Sequence, residues 1–424
     1  MNHFELRDGE LCCEETRLEA IAEAVGTPVY VYSTATLERH FTVFRDAFAP
    51  YRERLGTPLI AYAVKANGNV SVLRTLARLG AGADTVSEGE IRRALAAGVP
   101  GERIIFSGVA KTDAELAFAL DVGVHQINVE SAPELARLTA VASARGVRAP
   151  VAFRVNPEVR AGGHDKIATG KPESKFGVPL TQTPSLYARA SGSPVLEPVG
   201  LACHIGSQIT DLTPLEETFG KLRELVERLR GQGFRVDRLD LGGGLGAPYF
   251  HQPEPPGPDA LAALVSGVFG GMDLKLAFEP GRVIAANAGV LLTRVVHVNE
   301  RADGRRFLVL DAGMNDLLRP AMYDAFHDIR PVRPRGAERR SYDVVGPVCE
   351  SSDVFAVDRP LEPLEAGDLA VFMTAGAYGA AMASEYNTRP LVPEVLVKGG
   401  RFAVVRARET YEQILAREAP APWL

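Results

Sequence analysis

The chain has 424 residues, of which 46% are hydrophobic and 24% are charged, and its formal net charge is −6. This composition is typical of a globular protein of two or three domains, and the acidic balance argues against binding to nucleic acid or to an acidic membrane surface. No apolar run approaches the ~18 residues that span a bilayer, and the acidic start MNHFELRDGELCCEE lacks the apolar segment of a secretory signal.

The cysteines are too few for a disulfide scaffold in a chain of this length; they are Cys12, Cys13, Cys203 and Cys349. The sequence contains no CxxC pair and no HExxH motif, so no metal site is predicted. We therefore expect a reduced, soluble, cytoplasmic protein of enzyme size.

From about residue 34 to residue 282, short apolar runs typical of β-strands alternate with amphipathic helical patterns. Eight such runs are predicted, at residues 59–64, 82–86, 103–107, 126–129, 151–155, 199–204, 236–241 and 274–279. The alternation predicts a parallel (β/α)8 barrel. A doubly wound open sheet is disfavoured because its glycine fingerprint should follow the first strand, whereas the triplet Gly242–Gly244 follows the seventh.

The pattern changes after residue 282. Runs such as GVLLTRVVHV, RRFLVLDAG, SYDVVG, DLAVFMTAG, PEVLVKGG and RFAVVRARET are strand-like, are separated by turn residues and leave little room for helices. The predicted domains are an N-terminal segment 1–33 that contributes to a β domain, a barrel 34–285 and an antiparallel β domain 286–424. Residues 158–183 form a long loop after the fifth strand, and such loops are often functional.

Chemically active residue types collect where the predicted strands end, and a barrel enzyme carries its reacting groups at the carboxyl ends of its strands. By chance these residues would be scattered over both ends of the barrel and the helices. The residues concerned are Lys65, Asp84, Ser87, Arg154, Asn156, His204, Gly206, Ser207, Gly242–Gly244, Glu279, Gly281 and Arg282.

Lys65 closes the apolar strand AYAVKAN. Taken alone it could hold its ammonium in solvent, but beside the other strand-end residues it is a candidate Schiff-base lysine. Glu279 could keep a pyridinium nitrogen protonated, or it could form a structural ion pair with Arg282 or Arg154. His204 could be a core histidine, but its place beside GSQ favours stacking on a planar cofactor.

The triplet Gly242–Gly244 could be an ordinary flexible turn. At the end of the seventh strand of a barrel, and followed by EPGR after the eighth, it also occupies the usual phosphate-binding position. In the β domain, Arg319 and Tyr323 are four residues apart and would share a helical face, where an arginine can bind a carboxylate through two nitrogens. They could equally form a polar surface turn. Cys349 could be a small buried hydrophobe, and Tyr378 a strand aromatic or a phosphate ligand.

Nine motifs carry a family resemblance: YAVKAN, ADTVSEGE, ESKFGV, HIGSQI, DLGGG, EPGR, DAGMNDLLRPAMYDA, VVGPVCESSD and GAYGAAMASEYNTRP. In this order they resemble the motif set of the bacterial diaminopimelate decarboxylases, pyridoxal-phosphate enzymes of the alanine-racemase-like class. The resemblance runs from about residue 28 to residue 410. YAVKAN is shared with ornithine and arginine decarboxylases, whereas HIGSQI, DAGMNDLLRP and CES with Asp353 point to diaminopimelate. Family members usually have SSNYN where this chain has ASEYN, so that Glu385 replaces an asparagine.

The resemblance implies pyridoxal 5'-phosphate as the cofactor and the decarboxylation of meso-2,6-diaminopimelate to L-lysine and CO2, the last step of lysine biosynthesis. It implies catalytic roles for Lys65, His204, Glu279 and Cys349, with Cys349 as proton donor. Cofactor contacts would come from Lys65, Asp84, His204, Ser207, Gly243, Gly244, Glu279, Gly281, Arg282 and Tyr378. Substrate contacts would come from Arg282, Arg319, Tyr323, Glu350 and Tyr378. In this family Cys349 and Glu350 would reach the partner's active site, which implies a homodimer.

Three alternatives remain open at this stage. The first is a decarboxylase for ornithine, arginine, carboxynorspermidine or an amino acid tethered to a carrier protein. The second is an amino-acid racemase of the same fold, which Glu279 argues against because racemisation favours weaker ring protonation. The third is a non-catalytic pyridoxal-phosphate carrier, although the chain retains Lys65 and Cys349.

Overall fold

The computed structural model describes residues 2–160, 174–249 and 254–424. Half of the predicted functional loop, residues 161–173, lies outside the described residues, and so does Glu173 of the motif ESKFGV. The chain forms two compact units. A barrel unit comprises Glu38–Pro248 and Pro253–Ile284, and a β unit comprises Met1–Leu37, Tyr249–Gln252 and Ala285–Leu424.

The strands and helices of the described residues are numbered in chain order. The strands are β1 (Phe4–Arg7), β2 (Glu10–Cys13), β3 (Thr16–Arg17), β4 (Val29–Ser33), β5 (Leu59–Ala63), β6 (Gly82–Thr85), β7 (Ile104–Phe106), β8 (Gln126–Val129), β9 (Ala149–Asn156), β10 (Val178–Pro179), β11 (Leu196–Ala202), β12 (Arg238–Asp240), β13 (Lys275–Phe278), β14 (Gly289–Glu300), β15 (Arg306–Leu310), β16 (Ile329–Pro331), β17 (Arg340–Val345), β18 (Val354–Leu361), β19 (Leu369–Phe372), β20 (Glu394–Lys398) and β21 (Arg401–Arg406). The helices are α1 (Leu18–Val25), α2 (Thr34–Asp46), α3 (Arg52–Leu55), α4 (Val70–Ala77), α5 (Glu88–Ala97), α6 (Asp113–Val122), α7 (Ala132–Arg145), α8 (Thr183–Ser191), α9 (Thr213–Gly231), α10 (Pro258–Phe269), α11 (Arg282–Ala285), α12 (Arg319–Tyr323) and α13 (Tyr411–Leu415).

The barrel unit contains the predicted closed parallel sheet. Strands β5 to β9 and β11 to β13 pair in parallel in chain order, and β13 pairs with β5 to close the ring. Each of the eight apolar runs predicted from the sequence overlaps one of these strands. Because both faces of the strands are covered, their residues are almost continuously buried, as in β8 and β9.

Capping residues mark where the barrel helices α5, α6 and α7 begin and end. The side chains of Ser87, Thr112 and Ser131 accept hydrogen bonds from backbone N–H groups in the first turns of α5, α6 and α7. Each of these helices ends at a glycine in the left-handed conformation. Helix α9 buries the predicted apolar face, which consists of Leu215, Phe219, Leu222, Val226 and Leu229. No helix in the described ranges is long and apolar enough to cross a membrane.

The β unit is built on a sheet with the strand order β18-β17-β15-β14-β4-β20-β21; in addition, β19 pairs with β14, and β16 pairs with β19. The sheet is mostly antiparallel, as the sequence predicts, but β15 pairs with β17 in parallel and β4 pairs with β20 in parallel. Strand β4 comes from the N-terminal segment, is entirely buried and lies between β14 and β20. Its parallel pairing could not be read from local patterns, because the two strands are separated by most of the chain.

Candidate active site

The barrel residues singled out in the sequence lie at the carboxyl ends of their strands. Lys65 follows β5 in a single 3₁₀ turn, Val64–Ala66. His204 comes two residues after β11, and Glu279 comes directly after β13. Because neighbouring strands run parallel, these ends form one rim of the barrel.

Lys65 contacts a buried carboxylate. Its Nζ donates to Oδ2 of Asp84 at 2.6 Å, although its side chain is 37% exposed. Asp84 is fully buried in β6, and its other oxygen, Oδ1, has no hydrogen-bond partner among the described residues. The amine of Lys65 is therefore bonded to a buried acid while its side chain stays partly exposed at the barrel mouth, where a ligand can reach it.

Glu279 shares the barrel interior with a second carboxyl group, Asp240, which was not predicted from the sequence although it opens the motif DLGGG. Asp240 is 1% exposed and accepts hydrogen bonds from Gly242 N at 3.0 Å and from Asn128 Nδ2 at 3.1 Å. Burial raises the pKa of Asp240 to about 6. Burial, and then the charge of Asp240, raises the pKa of Glu279 well above its usual value. The side chains of Asp240 and Glu279 are hydrogen-bonded to each other. Because a hydrogen bond between two carboxyl groups requires a proton, we infer that the pair shares one.

One oxygen of Glu279 is positioned for a ligand. Oε1 is buried and has no hydrogen-bond partner in the described part of the chain. A buried polar atom without a partner costs about 1–3 kcal/mol. A protonated ring nitrogen would supply the missing donor, and the carboxylate would in turn stabilise the charge of that ring.

The ring of His204 is held by the glycine triplet. The N–H of Gly243 donates to Nδ1 at 3.2 Å, so Nδ1 is the acceptor and the proton of the neutral ring is on Nε2. Desolvation, followed by the charges of Lys65 and Arg154, lowers the pKa of His204 well below its usual value. A neutral imidazole in a fixed orientation suits stacking on a flat ligand. Gly243, a predicted cofactor contact, thus uses its N–H to orient His204.

The glycines at the rim are required by close backbone packing. A Cβ at Gly243 would lie 2.2 Å from the carbonyl oxygen of Glu279, and a Cβ at Gly244, whose φ is +113°, would lie 2.3 Å from that of Gly206. A Cβ at Gly281 would lie 3.0 Å from the side chains of two alanines that flank Lys65. These glycines therefore allow the loops that follow neighbouring strands to pack closely against one another at the rim.

Arg282 and Ser207 form a polar pair at the same rim. The Nε and NH2 atoms of Arg282 both lie 3.2 Å from Oγ of Ser207, and Arg282 is 7% exposed. A buried guanidinium beside a hydroxyl group suits a phosphate or a carboxylate.

Glu90 is a further carboxyl group near this rim that was not predicted from the sequence. Its Oε2 accepts from Val86 N at 2.7 Å, while Ser87 Oγ accepts from Glu90 N at 3.2 Å. The pKa of Glu90 is raised to about 7, mainly by burial. The charge of Asp84 also raises this pKa, whereas the charge of Lys65 lowers it. The signal was present in the sequence as the S-x-x-E spacing of a capping box.

In the β unit, Arg319 is buried rather than part of a surface turn. It is 7% exposed, and its NH1 donates to the hydroxyl of Tyr249 at 3.0 Å and to Nε2 of His327 at 3.0 Å. Tyr323 lies half-buried at the other end of the same short helix, α12. Tyr249 and His327 were not predicted, because nothing in the local sequence connects them to Arg319.

Two buried aspartates organise the loops of the β unit. Asp353 accepts from Met314 N and from Val348 N, both at 2.6 Å, and so joins the loops DAGMND and GPVCESSD. Asp316 accepts from Gly313 N at 2.9 Å within the first of these loops. We therefore assign both aspartates to the support of the neighbouring predicted site residues.

Cys349 and Glu350 are exposed, so the alternative that Cys349 is a buried hydrophobe is wrong. The N–H of Cys349 donates to Oδ1 of Asn387 at 2.8 Å, and Oε2 of Glu350 accepts from the hydroxyl of Tyr386 at 3.4 Å. The CES segment thus contacts the segment ASEYN. The unusual Glu385 of that segment pairs with NH2 of Arg417 at 2.6 Å.

Tyr378 adopts a left-handed backbone conformation, with φ +57°. For a bulky residue this costs about 1–3 kcal/mol, and such strain concentrates at functional sites. Tyr378 is partly buried.

The barrel residues fit pyridoxal phosphate. A lysine amine, a buried carboxyl oxygen without a partner, a neutral imidazole and a glycine-rich loop lie on one rim. Within the described ranges, no group of three His, Cys, Asp or Glu side chains could hold a metal ion. Fold and site together define a pyridoxal-phosphate-dependent enzyme with a barrel and a β domain.

Comparison with known proteins specifies the family. The model of the pyridoxal-binding domain of pyridoxal-dependent decarboxylases matches residues 35–286. The chain is 49% identical over 423 residues to the diaminopimelate decarboxylase of Pseudomonas aeruginosa, with full coverage of both chains, and 46% identical over 425 residues to that of Zymomonas mobilis, with 99% coverage of each. The structure of the M. jannaschii diaminopimelate decarboxylase in complex with L-lysine matches with a TM-score of 0.94 and 36% identity, covering 100% of this chain and 99% of that one. The chain therefore belongs to the diaminopimelate decarboxylase family.

Proposed function

We infer that this chain is a carboxy-lyase that converts meso-2,6-diaminopimelate to L-lysine and CO2, the last step of lysine biosynthesis. One observation carries the inference. The chain matches diaminopimelate decarboxylases over its full length and has Lys65, Asp84, His204 and Glu279 at the carboxyl ends of its barrel strands.

When bound, pyridoxal phosphate supplies an electron sink for the electron pair that remains when a carboxylate leaves as CO2. We propose that Lys65 holds the cofactor through Nζ and that Glu279 holds a proton at its ring nitrogen through Oε1. Asp84 would partner the lysine amine whenever that amine is released. His204, neutral and fixed by Gly243, would cover one face of the ring.

The phosphate is proposed to bind Ser207, Gly244, Gly281 and Tyr378, with Arg282 contributing charge. Gly243 would support this group indirectly, because its N–H orients His204.

The distal end of the substrate carries a carboxylate and an ammonium group. We propose that Arg282, Arg319, Tyr323 and Tyr378 bind the carboxylate side and that Glu350 binds the ammonium. Such a site rejects ornithine because its own charged groups would then lack partners.

Cys349 is proposed as the group that returns a proton to the carbon that loses CO2. Its exposure leaves the thiol available to a second subunit, and the family resemblance implies a homodimer in which Cys349 and Glu350 serve the partner's site.

The cysteines, which form no disulfides in the structure, support a reducing compartment, and we propose the cytoplasm.

The first test is a substrate panel on purified protein supplied with pyridoxal phosphate. CO2 release would be measured from meso-diaminopimelate, ornithine, arginine and carboxynorspermidine, with lysine measured as product. We expect turnover of diaminopimelate alone, and turnover restricted to another substrate would overturn the assignment of the distal residues.

Lys65→Ala should lose both turnover and the visible absorbance band of the bound cofactor. Turnover by this variant at the wild-type rate would contradict the mechanism.

Shared active sites are tested by mixing two inactive variants, Lys65→Ala and Cys349→Ala. If each site combines Lys65 of one subunit with Cys349 of the other, a mixed dimer has one site with both residues intact, and mixing should restore up to about a quarter of wild-type activity on statistical grounds. Activity that stays at the level of the separate variants after subunit exchange would refute the shared site.

A further inference from the structure

Arg319 lies in a small cluster with two residues to which nothing so far assigns a role, Tyr249 and His327. All three are buried, with exposures of 7%, 7% and 2% for Arg319, Tyr249 and His327. The tyrosine and histidine rings meet edge to face, with centroids 6.0 Å apart and an interplanar angle of 83°. The guanidinium carbon of Arg319 lies 5.5 Å from the centre of the tyrosine ring.

The partners of His327 determine its tautomer. Nδ1 lies 2.9 Å from the carbonyl oxygen of Met373, which can only accept, so Nδ1 carries a proton. Nε2 lies 3.0 Å from NH1 of Arg319, which can only donate, so Nε2 has none. The geometry therefore requires a neutral histidine that accepts from Arg319.

His327 is itself held in place by its neighbours. Its carbonyl oxygen accepts from NH1 of Arg359 at 2.9 Å, and the next carbonyl, that of Asp328, accepts from Met373 N at 2.8 Å. A ring held at Nδ1 and by its backbone presents Nε2 in one direction, which is the property needed to orient another side chain.

The two acceptors, the hydroxyl of Tyr249 and Nε2 of His327, are both uncharged. A carboxylate at either position would orient the guanidinium equally well but would neutralise it and compete with an anionic ligand. A neutral imidazole and a hydroxyl, both bonded to NH1, set the plane of the guanidinium without placing a negative charge beside it.

We propose that His327, together with Tyr249, is a positioning residue that orients Arg319 for the substrate's distal carboxylate. This inference rests on the proposed function, because it takes the carboxylate of diaminopimelate as the ligand of Arg319. Recognition of the distal carboxylate by Arg319 then depends on a hydrogen-bond acceptor at the position of Nε2 of His327.

Two substitutions separate the contact to Arg319 from the contact to Met373. The amide of His327→Asn is as many bonds from Cβ as Nδ1, so it can still donate to Met373 but cannot reach Arg319. The amide of His327→Gln extends as far as Nε2, so its oxygen can accept from Arg319 while the bond to Met373 is lost.

The measurements are kcat and KM for meso-diaminopimelate, the dissociation constants of L-lysine and cadaverine for the holoenzyme by calorimetry, and the melting temperature. L-lysine carries the carboxylate and cadaverine lacks it, so the pair isolates that group. H327N should raise KM and weaken L-lysine about ten- to hundred-fold, the worth of a hydrogen bond to a charged group, with kcat and cadaverine binding little changed. H327Q should bind L-lysine more tightly than H327N, even if it melts at a lower temperature. The exposed His297→Asn is the matched control.

If His327 has a purely structural role, the variant with the higher melting temperature should also bind L-lysine more tightly. If H327N melts at a higher temperature than H327Q and also binds L-lysine more tightly, the proposal is overturned. Equal weakening of lysine and cadaverine would also overturn it. If H327N does not fold, Tyr249→Phe, which removes the other acceptor, must weaken L-lysine selectively. If the wild type does not turn over diaminopimelate, the proposed function fails. If the wild type turns over diaminopimelate but H327N binds L-lysine as tightly as the wild type does, the proposed function stands and only the positioning role fails.

Discussion

At the scale of single residues, the barrel interior holds two carboxyl groups, those of Asp240 and Glu279, whose pKa values are raised. Asp84, Asp240 and Glu279 are all buried, and Lys65 is the cation bonded to the first of them. Buried acids in such proximity cannot all ionise at low cost. The pair Asp240–Glu279 therefore carries a proton at a pH at which exposed acids have lost theirs.

Removing this proton should destabilise the protein without cofactor. The pKa of Asp240 is raised to about 6 in the fold, so the native state binds more protons than the unfolded state between the usual carboxyl range and about pH 6. Stability should fall as pH rises through this window, by up to about 1.4 kcal/mol per pH unit for one proton. In Asp240→Asn, the melting temperature of the apoprotein should fall less steeply across this range.

The exposed Asp259→Asn is the matched control and should keep the wild-type pH dependence. An unchanged pH slope in D240N would show that Asp240 does not hold the proton.

At the scale of elements, one buried ion pair ties the loop between β7 and α6 to the adjacent strand and helix. Nζ of Lys111 donates to the carbonyl oxygens of Gly108 and Asn128 and to Oε1 of Glu134, at 2.6, 2.7 and 2.6 Å. Lys111 is 3% and Glu134 5% exposed. The interaction joins β8 to the first turn of α7, so it holds two successive β/α units of the barrel in register.

Lys111→Met should lower the free energy of unfolding by about 3–5 kcal/mol, because it leaves Glu134 buried without its cation. Adding Glu134→Gln should recover part of the loss, since the second charge is then removed. Denaturant unfolding measures both effects. The exposed pair Arg92–Glu88 provides the comparison, and Arg92→Met should cost no more than about 1 kcal/mol. Equal costs for K111M and R92M would contradict the importance of burial.

At the scale of the whole molecule, the β unit depends on the beginning of the chain. Strand β4 pairs with β14 on one side and β20 on the other. Tyr30 donates to the carbonyl oxygen of Asp316 at 2.6 Å, and Tyr32 donates to Oε2 of Glu394 at 2.5 Å. The N-terminal segment is thus an internal strand of this sheet.

Removal of residues 1–33 should prevent the β unit from folding, since it takes away an internal strand and exposes an apolar core. The expected outcome is aggregation or loss of the cooperative thermal transition, measured by calorimetry and size-exclusion chromatography. Removal of residues 417–424, which are almost entirely exposed, is the control and should leave the melting temperature within a few degrees. A stable chain without β4 would contradict its structural role.

The sequence by itself determined the order of the strands and helices in the barrel and the residues at the strand ends. Periodicity and caps are local properties, and each of the eight apolar runs overlaps an observed barrel strand. Lys65, His204 and Glu279 could be located because a parallel barrel brings every strand's carboxyl end to one rim. The family resemblance supplied the candidate roles of residues such as Cys349 and Glu350.

Only the tertiary structure decided which groups become partners. The contacts of Asp240 with Glu279, of His327 with Arg319 and of β4 with β20 join residues whose sequence neighbourhoods contain no sign of one another. Burial, which depends on the completed fold, raises the pKa of Asp240 and lowers that of His204. The chain pattern can indicate where charged side chains collect, but their protonation and orientation depend on neighbours that folding brings together from distant parts of the sequence.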